Sequence, residues 1–425
     1  MMSPFKVIFL FFVMLVFLCH QGIAQVKASK QGPELVTELL KNDGVFNSPA
    51  FTFTNKYDSI SAFAYQKGLF FNGLNYHGKA TKVFCWYGVP ENLKSGAKVP
   101  AVVLVHGGGG TAFQDWVKKW NDEGYVAIAI GLEGQAPGKS NKGVPTDMKW
   151  PTFAEAGPYR TGFFLDIEKE KTQDVWFYHA VADAILANSL LRTFPEVDAT
   201  NIGITGISWG GILTNVITGI DHRFRFAVPV YGCGYLEETP NYSNQLKLLT
   251  EKGRALYLQT WEPSLYIPLQ KQPTLFVNGT NDFHFTLNSF NKSYLASLTE
   301  KYLHVGYKMK HSHIHGWEPT EIIAFANYIT KGRQQPTQII SKGAQGKKVN
   351  FSYTGEIAEA TLYYTTDPAD WGSTNYEWIP MAANISNSGH LITAELPQEA
   401  VYYFVNTKTK EGEEYSSPMI TLLKK

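Results

Sequence analysis

The residues most able to do chemistry are a serine, an aspartate and a group of histidines far apart in the chain. Gly206-Ile207-Ser208-Trp209-Gly210 has the form G-x-S-x-G. Its five residues gain meaning only where a strand enters them and a helix leaves, because that bend raises the serine hydroxyl and aims a helix N-terminus at it. A serine hydroxyl is a poor nucleophile until a base takes its proton. Where such a bend ends a sheet strand, the partners follow in the order acid, then histidine. Asp282 comes just after the apolar run 273–279, and Lys310-His311-Ser312-His313-Ile314-His315-Gly316 comes just after the run 302–309. Both His311 and His313 stand where the base is expected, with His313 preferred. His315 lies closer to the helix expected to begin near Trp317. The same histidines read as His-x-His-x-His, a pattern that puts three rings on one face of a strand and suits a metal. No matching carboxylate cluster accompanies them in the sequence, and no metal or cofactor is expected.

The chemistry also needs donors for a developing oxyanion. His106-Gly107-Gly108-Gly109-Gly110 follows the apolar run 101–105. Glycines let the backbone approach a ligand, so an N–H of Gly108 or Gly109, joined by that of Trp209, is expected to hold the anion. The Gly-Lys-Ser/Thr ending that would make this a phosphate loop is absent.

The elements that must position these residues are legible as a pattern. Short apolar runs at 101–106, 125–131, 201–206, 226–230, 273–279 and 302–309 alternate with helical segments, notably 173–193, where Val175, Trp176, Ala180, Val181, Ala184 and Ile185 recur at helical spacing. Continuous apolar strands alternating with helices predict an α/β domain with a mostly parallel sheet covered on both faces. The stretches 134–172 and 236–272 lack periodicity, follow strand ends and are expected to wall a substrate cleft. Residues 25–95 read as short strands and turns. Residues 331–347 read as a linker rich in Lys, Gly and Gln. Beyond it, alternating runs such as 349–353, 361–364, 391–396 and 401–405 predict about six or seven short strands, an Ig- or fibronectin-like sandwich.

At the N-terminus, Lys6, an apolar run over 7–18 and Gly22-Ile23-Ala24 read as a secretory signal cut after Ala24. The resulting division is a signal at 1–24, an α/β domain with an N-terminal β extension at 25–332 and a β-sandwich at 345–425. Cys19 leaves with the signal, and Cys85 and Cys233 are read as small buried apolar residues. The 425 residues hold 38 Lys+Arg against 37 Asp+Glu. Loss of Lys6 leaves 37 against 37, so no basic field exists to hold nucleic acid or an anionic membrane. Aromatic residues make up 14%, a content suited to β structure or to stacking on sugar rings.

With these pieces placed, residues 80–330 resemble the acetylxylan esterase and dienelactone-hydrolase-like branch of the α/β-hydrolases, with the prolyl oligopeptidase catalytic domain as a relative. The motifs that carry the resemblance are HGGGGTAF at 106–113, GITGISWGG at 203–211, NGTND at 278–282 and MKHSHIHGW at 309–317. The resemblance implies the α/β-hydrolase fold, a triad of Ser208, Asp282 and a histidine, and hydrolysis of short acyl esters, often acetyl groups on polysaccharide. Dienelactone hydrolases carry a cysteine nucleophile, whereas this chain has Ser208. The expected function is therefore a secreted or periplasmic serine esterase acting on a carbohydrate ester. A serine peptidase of prolyl oligopeptidase type and a non-catalytic glycan-binding protein are the alternatives.

Overall fold

The computed structural model describes residues 32–138, 150–367, 371 and 376–423; the expected signal at 1–24 lies outside them. Nine strands build the main sheet: β1 (Phe51–Thr54), β2 (Gln66–Asn72), β3 (Lys82–Gly88), β4 (Val99–Val105), β5 (Val126–Ile130), β6 (Val197–Ile207), β7 (Ala227–Val230), β8 (Thr274–Gly279) and β9 (Lys301–Gly306). Their order is β1-β2-β3-β5-β4-β6-β7-β8-β9. The pairs from β1 to β5 are antiparallel, and those from β5 through β4, β6, β7 and β8 to β9 are parallel. The apolar side chains of β4 to β8 are buried on both faces, as a helix-covered parallel sheet requires. In such a sheet the carboxyl ends of the parallel strands share one edge. That edge carries His106–Gly110 after β4, Ser208 after β6, Tyr231 after β7, Asp282 after β8 and His311 after β9.

Two helices depart from the sequence reading. Helix Trp176–Leu191, where apolar residues at helical spacing predict one buried face, is buried at every position. Its outer face is covered by the N-terminal segment, with Ser189 Oγ donating to Val45 O (2.9 Å) and the Tyr178 hydroxyl to Asp43 Oδ2 (2.5 Å). That covering segment contains helix Pro33–Asn42, where only strands and turns were expected. It buries Val36 and Leu40 one turn apart and starts with proline at its first position.

The C-terminal part forms two antiparallel sheets. One has the order β10-β11-β15-β14, from β10 (Ile339–Gln345), β11 (Lys348–Tyr353), β14 (Asn384–Ser386) and β15 (Leu391–Glu395). The other contains β12 (Glu359–Thr365), β13 (Ile379–Ala382), β16 (Tyr402–Lys408), β17 (Glu414–Ser416) and β18 (Ile420–Thr421). β10 lies inside the stretch read as a linker. It is an edge strand exposed along nearly its whole length, so no apolar alternation marks it.

Alternation along β12 and β16 decides how the two parts join. Leu362, Tyr364, Tyr403 and Val405 point into the sandwich with Val349, Phe351 and Ile392. Tyr363, Tyr402 and Phe404 point the other way and merge with the core of the α/β domain. Tyr363 stacks on Tyr307 (ring centroids 5.1 Å apart) and on Phe404 (5.2 Å). This sheet is thus buried on both faces. Phe404→Ala is expected to lower stability by about 3–5 kcal/mol, measured by urea unfolding followed by tryptophan fluorescence.

Candidate active site

Ser208 sits where β6 turns into helix Trp209–Ile220, with φ 60° and ψ −114°. A side chain rarely tolerates that backbone conformation, and here the surroundings impose it. Ser208 N–H donates to Val230 O (2.9 Å), and Ser208 O accepts the first helical bond from Ile212 N–H (3.0 Å). The turn closes only because its flanks are bare. A Cβ on Gly206 would lie 2.0 Å from Gly210 O, and one on Gly210 would lie 2.0 Å from Val105 O. These are the two glycines of G-x-S-x-G, and each is required by backbone packed against backbone.

Asp282 is 3% exposed. Its Oδ1 accepts the N–H groups of His284 (2.8 Å) and Phe285 (2.9 Å), which fix the carboxylate and leave Oδ2 for His311 Nδ1 at 2.6 Å. On the other side of the ring, His311 Nε2 lies 3.0 Å from Ser208 Oγ. With Nδ1 protonated, the ring donates to the carboxylate and accepts from the serine hydroxyl. Tyr231 supports the ring from one face, with centroids 4.4 Å apart, and its hydroxyl donates to Lys310 O (2.8 Å).

The preference for His313 is thereby corrected. The cause is Ser312, whose Oγ accepts His315 N–H (3.1 Å) and starts a short helix, His313–Trp317. That helix turns His313 away from Asp282, and its Nε2 instead accepts the N–H of Gly107 (2.9 Å). His315 Nδ1 meets Ser312 Oγ at 2.7 Å. The three rings that a metal reading would gather on one face therefore take three different partners.

The glycine loop is held from several sides. Gly110 N–H donates to Gly107 O (3.0 Å), and Trp150 Nε1 donates to Gly109 O (3.0 Å). Among the described residues the N–H groups of Gly108 and Gly109 make no hydrogen bond. Trp209 N–H is the first of its helix and has no intrahelical partner. Beneath the loop, His106 is fully buried. Its Nδ1 meets Gly107 O (2.7 Å) and its Nε2 accepts Leu132 N–H (3.1 Å), while burial lowers its pKa to about 4. The Trp209 side chain is 7% exposed and packs against Phe163, Trp176 and Tyr242.

Several residues of this site were not foreseen from sequence. Arg160 places its guanidinium 5.0 Å from the Trp209 ring centroid and its Nε 3.4 Å from the buried carboxylate of Glu133. It lies in the aperiodic stretch 134–172, where nothing local signals it. His284, two residues past Asp282, meets His311 edge-on with ring centroids 4.8 Å apart, and burial together with that ring lowers its pKa to about 4. Cys85 and Cys233 are buried and unpaired, and burial pushes both thiols well up.

Two solved structures share this architecture. Acetyl xylan esterase from Paenibacillus sp. R4 aligns over 69% of this chain and 94% of its own, with a TM-score of 0.52 and 18% identity. Acetyl xylan esterase 1 from Thermoanaerobacterium sp. JW/SL YS485 aligns over 70% and 93%, with a TM-score of 0.54 and 16% identity. The chain has the α/β-hydrolase fold. Within this fold, the acetyl xylan esterase (AXE1) family model matches residues 53–239, and that of the prolyl oligopeptidase family matches residues 170–327. Probable dipeptidyl-peptidase 5 of Aspergillus terreus is 30% identical over 157 residues, 36% of this chain and 18% of that protein. Dipeptidyl-peptidase 5 of Porphyromonas gingivalis is 23% identical over 216 residues, 47% of this chain and 28% of that protein. The chain spans less than a third of the length of these curated relatives. Both matched stretches include Ser208, and the second also includes Asp282 and His311.

The buried His106 has a consequence for stability. Its folded pKa of about 4 lies below the ordinary 6.5. Between those values the unfolded chain binds a proton that the folded chain does not, so stability is intact above pH 6.5 and falls as pH drops towards 4. The ring's share is about 2–3 kcal/mol at the bottom of that window. In His106→Gln, which keeps an acceptor for Leu132 N–H, denaturant unfolding at pH 7 and pH 4.5 is expected to show a smaller difference than in the wild type.

Proposed function

We propose that the protein is a serine esterase that removes short acyl groups, acetyl above all, from carbohydrate. Ser208 is the nucleophile, His311 the general base and then the general acid, and Asp282 the group that orients the imidazole. The observation that carries this reading is the continuous chain from Asp282 Oδ2 to His311 Nδ1 (2.6 Å) and from His311 Nε2 to Ser208 Oγ (3.0 Å).

The steps follow from that geometry. The Ser208 oxygen attacks the ester carbonyl while His311 Nε2 takes its proton. The imidazolium is stabilised by the buried carboxylate at Nδ1. Negative charge develops on the former carbonyl oxygen and is met by the Trp209 N–H and an N–H of Gly108 or Gly109, donors fixed in place before the reaction. His311 then returns the proton to the leaving alcohol, and water repeats the sequence on the acyl-serine. His313 supports the glycine loop through Gly107 and takes no proton.

The acetyl xylan esterase match over 53–239 supports the choice of ester. The prolyl oligopeptidase match over 170–327 and the dipeptidyl-peptidase relatives favour a second reading, in which the same triad cleaves a peptide. Residues 1–24 are proposed to direct export, which N-terminal sequencing of the mature protein tests.

Ser208→Ala and His311→Ala are each expected to lower kcat by about 10⁵-fold. His313→Ala is expected to lose no more than about 100-fold. Acetate release from acetylated xylan and acetylated sugars, assayed beside cleavage of aminoacyl-arylamides, separates the two substrates. Turnover of the arylamides alone contradicts the esterase reading. Fluorophosphonate labelling that persists in Ser208→Ala contradicts both.

A further inference from the structure

The C-terminal sandwich meets the α/β domain at the residues that lead into the acid. Tyr376 belongs to the segment entering β13 and is 5% exposed. Its hydroxyl donates to Thr280 O (2.9 Å), and its own carbonyl accepts from Asn281 Nδ2 (2.8 Å). Thr280 and Asn281 are the two residues between the end of β8 and Asp282. Thr280 also ties the acid loop to the base loop. Its N–H donates to Gly306 O (3.1 Å), and its Oγ1 accepts Lys308 N–H (2.9 Å). A cleft of about 420 Å³ alongside is lined by Asp282, Phe283 and His311 from one domain and by Tyr376 and Glu377 from the other.

The contact continues away from the site. Val305 N–H donates to Ser416 Oγ (2.7 Å), Asn406 Nδ2 donates to Val305 O (3.0 Å), and Asn291 and Met419 exchange two hydrogen bonds. The domain is therefore attached along β9 independently of Tyr376. Among the hydrogen bonds that the described residues make across this interface, the Tyr376 contact is the one that reaches Thr280 and Asn281, the irregular backbone leading to Asp282.

We propose that Tyr376 is a positioning residue for the triad, which makes the C-terminal domain a working part of the active site. The proposal rests on the reading of Asp282 as the triad acid. Past Thr280, whose N–H still pairs with Gly306 O, the path to Asp282 leaves the strand and is held largely by side-chain bonds, those to Tyr376 among them. A displacement of about 1 Å in a catalytic group costs on the order of 100-fold in rate. Burial raises the Tyr376 phenol pKa, so the hydroxyl stays protonated and remains a donor through the working range.

Tyr376→Phe in the full-length protein keeps the ring and removes the donor. On an acetyl ester, kcat is expected to fall about tenfold with KM within about twofold of wild type. The acidic limb of the pH–rate profile is expected to move to lower pH, because a looser carboxylate supports the imidazolium less. Asn281→Ala removes the other bond and is expected to give the same split. Ser416→Ala, at the far part of the interface, is expected to lower Tm while leaving kcat unchanged. Wild-type kcat and pH profile in both Tyr376→Phe and Asn281→Ala overturn the proposal. An equal kcat loss in Ser416→Ala overturns it too, since general loosening would then suffice. An active Ser208→Ala strikes the triad reading itself, whereas an inactive Ser208→Ala beside unchanged Tyr376→Phe and Asn281→Ala strikes this proposal alone.

Discussion

A serine at φ 60° survives here because the backbone around it is closed too tightly to relax. The bend is gripped by Val230 O on one side and by the first helical bond on the other. The facing backbones of residues 105, 206 and 210 leave no room for a Cβ. Local strain of this kind costs about 1–3 kcal/mol and persists where the surrounding structure over-determines it. What it achieves is position. The hydroxyl stands clear of the sheet, and the helix it opens contributes the Trp209 N–H beside it.

Everything else at that edge is arranged around the raised hydroxyl. The carboxyl ends of β4, β7, β8 and β9 deliver the glycine loop, Tyr231, Asp282 and His311 to the same side of the sheet. The Asp282 carboxylate is fixed by two backbone N–H groups, and the His311 ring is backed by an aromatic face. The sandwich adds to the same arrangement: one of its sheets is buried on both faces, and the segment entering β13 reaches the loop that bears the acid.

The fold was legible because buried parallel strands write themselves as unbroken apolar runs, and the elbow was legible because only glycine fits its two flanks. Asp282 followed from its place after such a run. The choice between His311 and His313 was not legible, since both stand beyond β9. It turns on Ser312, whose side chain starts a helix and rotates the next ring towards Gly107. Arg160 and Tyr376 were invisible for a different reason. Each comes from an irregular stretch, and its neighbours in space are more than 20 residues away in the chain. Helix Pro33–Asn42 escaped notice because its buried face is only Val36 and Leu40. β10 escaped because an exposed edge strand carries no apolar pattern.

The most direct test is a crystal structure of the protein after reaction with a small alkyl fluorophosphonate, which mimics the tetrahedral intermediate. The account predicts phosphorus bonded to Ser208 Oγ. The phosphoryl oxygen should lie about 2.7–3.1 Å from the nitrogens of Trp209 and of Gly108 or Gly109, with His311 Nε2 facing the adduct and His313 still on Gly107. An adduct on another residue, or a phosphoryl oxygen turned away from those N–H groups, would contradict it.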